Sequence, residues 1–255
     1  MTISRESAAL GGDAPRAAGY SRYGGRRAFL QGLAFACAAL GASNGFALEA
    51  AIAPKDDMRE TKLLALGDSL TAGYLLPASA AFPAVLEKAL RKEGYRVSIV
   101  NAGVSGDTAS GGLARLDWSL GDRADGAIVE LGANDMLRGI DPTVTRAAIE
   151  AILVKLKEKN VRTLLAGMLA SANLDAEFRE KFNAIYPALA KKYDAILYPF
   201  FLEGVAPRPE LKLADGMHPN AIGVDEIVRN ILPSVRALLV ELGQPAPSGD
   251  KPGPG

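Results

Sequence analysis

The chain contains one histidine, His218, and Asp215 lies three residues before it. A neutral imidazole is the usual proton acceptor near pH 7, and it needs an orienting partner on its second ring nitrogen. An aspartate three residues away reaches that nitrogen through a single tight turn. Serine becomes a nucleophile only beside such a base. The candidate is Ser69, in Gly67-Asp68-Ser69-Leu70-Thr71. Attack on a carbonyl creates an oxyanion that needs hydrogen-bond donors. Gly106 offers an N–H with no side chain in the way, and Asn134 offers an amide. The Ser69 N–H, at a predicted helix start, is a third donor. The chemistry these residues could perform together is acyl transfer through serine. Taken one at a time, Gly-Asp-Ser, Gly-x-Asn-Asp and Asp-Gly-x-His also read as ordinary turns.

What unites the segments is their placement in an alternating pattern. Short apolar runs at 62–66, 97–100, 127–131, 161–165 and 195–197 predict five strands. Between them lie predicted helices. One starts at Pro83 and closes at Gly94. One of weak spacing covers 113–120. One follows Asp141-Pro142, with Ile149, Ile152, Leu153 and Leu156 on one face. Phe178, Phe182, Ile185 and Leu189 form a further helix behind Asp175, with a kink expected at Pro187. A last helix covers 222–240 with Pro233 inside it. Alternation of this kind predicts an α/β fold: a three-layer α/β/α arrangement around a five-stranded parallel sheet. The expected strand order is the flavodoxin-like 2-1-3-4-5, which sets the ends of strands one and three side by side at a switch point. Gly-Asp-Ser follows strand one, Asn101-Ala102-Gly103-Val104-Ser105-Gly106-Asp107-Thr108 follows strand two, and Gly132-Ala133-Asn134-Asp135 follows strand three.

Composition narrows the alternatives. With 29 basic and 29 acidic residues the chain lacks the basic excess of a general nucleic-acid binder, so no nucleic acid is expected as a partner. Its single Cys, Cys37, excludes an intramolecular disulfide, and one His excludes a multi-histidine metal centre. The alternating region has no G-x-S-x-G elbow, and G-x-x-x-x-G-K-[ST] and G-x-G-x-x-G are missing as well.

Both ends read differently from the middle. Arg26-Arg27 followed by Phe29-Leu30, a short apolar run at 28–40 and Gly45-Phe46-Ala47 form the pattern of a twin-arginine signal peptide over 1–47. The apolar run is too short to span a bilayer, and Ala34-Phe35-Ala36 before Cys37 is a poor lipobox, so no stable membrane anchor is expected. The expected partner during export is the twin-arginine translocation machinery, and the expected location is periplasmic or secreted. Removing 1–47 takes away five basic and two acidic residues and leaves a slightly acidic remainder. Residues 48–60 read as a linker, 61–242 as the domain, and 243–255 as a disordered Pro/Gly tail.

The segments GDSLTAGY, NAGVSGDT, ELGAND and DGMHPN, in that order, resemble the four blocks of the GDSL, or SGNH, hydrolase superfamily. The resemblance runs from about Lys62 to Val235. It is strongest to the bacterial exported acyl-CoA thioesterase, lysophospholipase and arylesterase branch, with Phe182-Asn183-Ala184-Ile185-Tyr186-Pro187 and Pro199-Phe200-Phe201 in keeping with it. It implies the SGNH hydrolase fold, Ser69 as nucleophile, His218 as base and Asp215 as its orienter. It also implies an oxyanion hole of the Ser69 N–H, the Gly106 N–H and the Asn134 side chain, with Gly106 matching the donor position better than Gly103. Asp68 and Asp135 are expected in turns and supporting contacts. The implied reaction is hydrolysis of carboxylic esters and thioesters through an acyl-enzyme, with no cofactor and no metal. Short- to medium-chain acyl esters, aryl esters and lysophospholipids are the small-molecule substrates to expect.

Leu75, Leu76, Leu113, Met136, Leu137, Met168-Leu169-Ala170 and Met217 stand at strand-end positions, where they could line an acyl groove or simply pack the core. The only tryptophan, Trp118, is expected in the core. A carbohydrate O-acetylesterase, an acyltransferase and a non-enzymatic lipid or sugar carrier are the alternatives.

Overall fold

The computed structural model describes residues 59–244. The expected signal peptide, most of the linker and Cys37 lie outside the described residues.

Five parallel strands form one sheet in the order β2-β1-β3-β4-β5. They are β1 (Thr61–Gly67), β2 (Val97–Gly103), β3 (Gly126–Glu130), β4 (Arg162–Ala166) and β5 (Ile196–Tyr198). This is the flavodoxin-like order expected from the alternation. Among the described residues the α-helices are α1 (Ser69–Ala72), α2 (Phe82–Lys92), α3 (Ala109–Leu120), α4 (Ala133–Leu137), α5 (Pro142–Glu158), α6 (Ala176–Asn183), α7 (Ile185–Tyr193) and α8 (Ala221–Glu241). α2 packs with α8, and α3 packs with α5. The two pairs cover opposite faces of the sheet, as the alternating crossovers demand.

The central strands are apolar throughout because helices cover both of their faces. Leu63, Leu64 and Leu66 of β1, Ile128 and Val129 of β3, and Leu164 and Leu165 of β4 are all buried. The covering helices supply Leu86, Leu90, Leu116, Ile149, Ile152, Ile227 and Val235, also buried. Truncating any one of these Leu or Ile residues to Ala should cost about 2–5 kcal/mol.

Several local features differ from expectation for physical reasons. The Pro187 segment does not kink one helix. α6 ends at Asn183 and α7 starts at Ile185, which places Pro187 in a first turn, where its missing N–H costs nothing. Pro233 by contrast sits within an α8 that runs unbroken for 21 residues. Trp118 is 84% exposed on the outer side of α3, so it is not a core residue. Gln244, expected in the tail, is buried, and its amide donates to Thr61 Oγ1 at 3.0 Å. The packed domain therefore reaches past 242.

Candidate active site

The site is assembled at the C-terminal ends of β1, β2 and β3. β1 ends at Gly67, and the next residue, Asp68, caps α1 by accepting the Leu70 N–H at 3.0 Å. Ser69 is thus the first residue of a one-turn helix. α1 lies directly on β2. A Cβ added at Gly103 would meet Ala72 N at 2.2 Å, so only glycine fits there.

The base arrives from a loop that precedes α8. Leu213 N–H donates to His218 O at 2.8 Å, and Asn220 N–H donates to Leu211 O at 2.9 Å, which closes the loop on itself. Within it, Asp215 Oδ1 accepts the main-chain N–H groups of Met217 at 2.9 Å and His218 at 3.0 Å. Asp215 Oδ2 lies 2.7 Å from His218 Nδ1. The two backbone N–H donors, and then the imidazole, hold the Asp215 carboxyl down at about 2, so it is ionised across the working range. The other imidazole nitrogen, Nε2, lies 2.8 Å from Ser69 Oγ. The Tyr74 ring packs on the imidazole with centroids 4.4 Å apart.

Of the oxyanion donors expected from the sequence, Asn134 lines one cavity with Ser69. Gly106 has a φ of +86°, a conformation that favours glycine, and its carbonyl accepts Arg138 Nη2 at 2.6 Å. Asn134, in α4, donates its amide N–H groups to Asp68 Oδ2 and Asp107 O, each at 3.0 Å. These two bonds fix the orientation of the amide.

Beneath the serine lies a set of buried carboxyls. Glu130, the last residue of β3, is fully buried. Its Oε2 accepts Thr71 Oγ1 at 2.8 Å and faces the Asp68 N–H at 3.4 Å, while its Oε1 has no partner. Burial first, and then the neighbouring Asp68 charge, push the Glu130 carboxyl well above its ordinary range. Burial also raises Asp68 to about 6, against the lowering effect of its bonds to Leu70 and Asn134. Both carboxyls therefore keep their protons to higher pH than free carboxyls do. Asp135, also buried, ties α3 to α5 by accepting Ala109 N–H at 2.8 Å and Thr145 Oγ1 at 3.0 Å.

A cavity of about 300 Å³ opens beside Ser69 and His218. Its apolar wall includes Leu70, Met136, Leu137, Met168, Leu202 and Met217, and Lys212 adds a single cation. The expected groove residues Met136, Leu137, Met168 and Met217 are in this wall, whereas Leu169 and Ala170 are not. Nor are Leu75, Leu76 and Leu113. Gly73, with φ +80°, ends α1 and turns the chain outward, which leaves Leu75 75% exposed. Leu76 and Leu113 pack against the core instead. The sequence reading missed Glu130 and Lys212 as parts of the site. Of these, only Glu130 carried a visible signal: an acidic residue at the end of an otherwise apolar strand.

An α/β/α sheet with a Ser–His–Asp hydrogen-bond chain at its switch point defines the class of serine-dependent hydrolases. The comparisons give the family. The model of the GDSL-like Lipase/Acylhydrolase family matches residues 65–225. The chain is 46% identical over 159 residues to Thioesterase 1/protease 1/lysophospholipase L1 of Escherichia coli, covering 62% of this chain and 75% of that one. It is 37% identical over 178 residues to Esterase TesA of Pseudomonas aeruginosa, covering 69% and 89%. Among solved structures, AlinE4, an SGNH-hydrolase family esterase, is 47% identical with a TM-score of 0.60, covering 71% of this chain and 98% of that one. The chain belongs to the GDSL-like lipase/acylhydrolase family and is a carboxylic ester hydrolase.

Proposed function

We propose that the chain hydrolyses short- to medium-chain carboxylic esters and thioesters through an acyl-enzyme on Ser69. The observation that carries this reading is the 2.8 Å contact of Ser69 Oγ with an imidazole whose other nitrogen faces an ionised Asp215. His218 Nε2 takes the hydroxyl proton as Ser69 Oγ forms a bond to the carbonyl carbon. The carbonyl π electrons move to oxygen, and the oxyanion meets the N–H groups of Ser69 and Gly106 and the Asn134 amide. For Asn134 this means sharing an N–H that points to Asp68 in the free enzyme. The oxyanion then collapses and expels the alcohol or thiol, which receives the proton from His218. Water, deprotonated by the same imidazole, attacks the acyl carbon; the bond to Ser69 Oγ breaks, Oγ takes the proton back from His218, and the acid leaves. No step uses a metal or an organic cofactor.

The apolar cavity favours an acyl chain of modest length, because about 300 Å³ is at the small end of ligand pockets. The two curated relatives are named for thioester, lysophospholipid and ester substrates, and we assign the same range here. We also assign export through the twin-arginine route and a periplasmic or secreted location, on the Arg26-Arg27 pattern alone. Among the described residues no helix is long and apolar enough to cross a membrane.

The test is an assay of the chain from Leu48 onward on p-nitrophenyl esters from acetate to palmitate, beside Ser69→Ala. Ser69-dependent activity that peaks at intermediate chain length is the expected result. Activity confined to acetate would move the substrate to acetylated glycans, and activity retained by Ser69→Ala would end the mechanism.

A further inference from the structure

Arg115 lies on α3, outside all four motif segments, yet it contacts two of them. Its side chain is only 17% exposed. Nε donates to Asp107 Oδ2 at 2.5 Å, Nη1 donates to Ala102 O at 2.8 Å and Ser119 Oγ at 3.2 Å, and Nη2 donates to Gly67 O at 2.8 Å. The acceptors are distributed around the oxyanion donors. Gly67 lies two residues before Ser69. Ala102 is on the strand that leads into the Gly106 loop. Asp107 follows Gly106, and its own carbonyl holds the Asn134 amide.

The sheet does not need this side chain to pair its strands. The β1–β2 ladder is complete from Thr61↔Val97 to Gly67↔Gly103. Arg115 acts where the ladder stops and the two chains diverge, one into α1 and one into the Gly106 loop. A rigid planar fork can fix that divergence, whereas a lysine point charge cannot hold carbonyls on two strands and a carboxylate together.

We propose that Arg115 is a positioning residue for the oxyanion hole. It sets the spacing between the Ser69 and Gly106 N–H groups and, through Asp107, the placement of the Asn134 amide. It touches no substrate. The proposal rests on the oxyanion-hole assignment made above. Its loss should weaken transition-state stabilisation and leave ground-state binding intact.

The experiment compares wild type, Arg115→Lys, Arg115→Gln, Asn134→Ala and the Arg115→Gln/Asn134→Ala double variant on p-nitrophenyl butyrate, with kcat and KM resolved and thermal melts recorded. Asp107→Asn serves as a milder variant should the Arg115 variants fail to fold. We expect kcat to fall about 10- to 100-fold in both Arg115 variants, with KM within about threefold of wild type. Lysine should not rescue. The double variant should lose less than the product of its two single losses, because both act on one hole. Asp107→Asn should lose about three- to tenfold in kcat. A folded Arg115→Lys or Arg115→Gln enzyme with wild-type kcat overturns the proposal, as does a fully multiplicative double variant. If the Arg115 variants do not fold, an Asp107→Asn enzyme with wild-type kcat overturns it. If Asn134→Ala itself keeps wild-type kcat, the oxyanion-hole assignment fails, an outcome distinct from failure of the Arg115 role.

Discussion

At the N-terminal edge of the sheet, carboxylates meet guanidinium groups close to solvent: Asp125 with Arg59 and Arg123, Glu241 with Arg162, and Glu93 with Arg236. At the C-terminal edge, Asp68, Glu130 and Asp135 are buried, and their bonds come from main-chain N–H groups, hydroxyls and the Asn134 amide. The first arrangement is cheap to build and easily screened, so each pair adds little stability. The second is costly, because charge taken out of water without a cation must be neutralised or repaid by hydrogen bonds. The fold places that cost where the serine, the amide donor and the base must be held. The weak, screened ion pairs and the costly buried carboxyls that hold the catalytic groups therefore lie at opposite edges of the same sheet, and substitutions at the catalytic edge should separate activity from stability.

The largest separation is expected at Ser69. Ser69→Ala should lower kcat/KM by at least about a thousandfold while shifting the melting temperature by no more than about 2 °C. Steady-state kinetics and calorimetry on one preparation check both, and a large fall in melting temperature would break the separation. Next is Asn134→Ala, expected to lose on the order of 100- to 1000-fold in kcat, about 3 kcal/mol of transition-state stabilisation. A loss seen only in KM would remove Asn134 from the hole.

Glu130→Gln reads the cost of the buried edge. In the folded state Asp68 and Glu130 keep their protons to higher pH than in the unfolded chain, Asp68 to about 6 from 3.8. The folded form thus holds more protons than the unfolded form in that window, and the pair's contribution to stability falls as pH rises from about 4 to about 6. Removing the Glu130 ionisation should shrink that fall. Urea unfolding at pH 4, 6 and 8 measures it, and parallel wild-type and variant profiles would contradict a raised Glu130 carboxyl. The smallest effect belongs to the opposite edge. Glu241→Gln should cost less than about 1 kcal/mol, leave kcat/KM unchanged and lose its effect in high salt.

Much of this is legible in the amino-acid sequence alone. Short apolar runs located all five strands, most plainly the three central ones, because strands buried on both faces have little freedom in composition. The Ser69, Asn134 and Asp215-x-x-His218 segments stood out because each falls at a strand end or holds the sole imidazole. Arg115 did not stand out. An arginine eight residues after Asp107 on a weakly patterned helix looks like any surface cation, and only the tertiary fold brings Gly67 and Ala102 to it. Leu75 and Leu76 misled for a related reason. Adjacency to a nucleophile in sequence says nothing about direction once Gly73 has turned the backbone. Trp118 misled through residue type, since an indole on an outer helix face carries no local mark of exposure.

The contact between Ser69 and His218 joins residues 149 positions apart, whereas Asp215 and His218 are joined within one turn. The acid–base pair can therefore assemble locally and early, but the nucleophile meets it only when the first strand and the segment before the last helix have come together. Closing a loop of that length is among the slower events available to a chain of this size. On refolding, recovery of catalytic turnover should lag behind recovery of helical signal, and the enzyme's own reaction would serve as a clock for the final long-range closure.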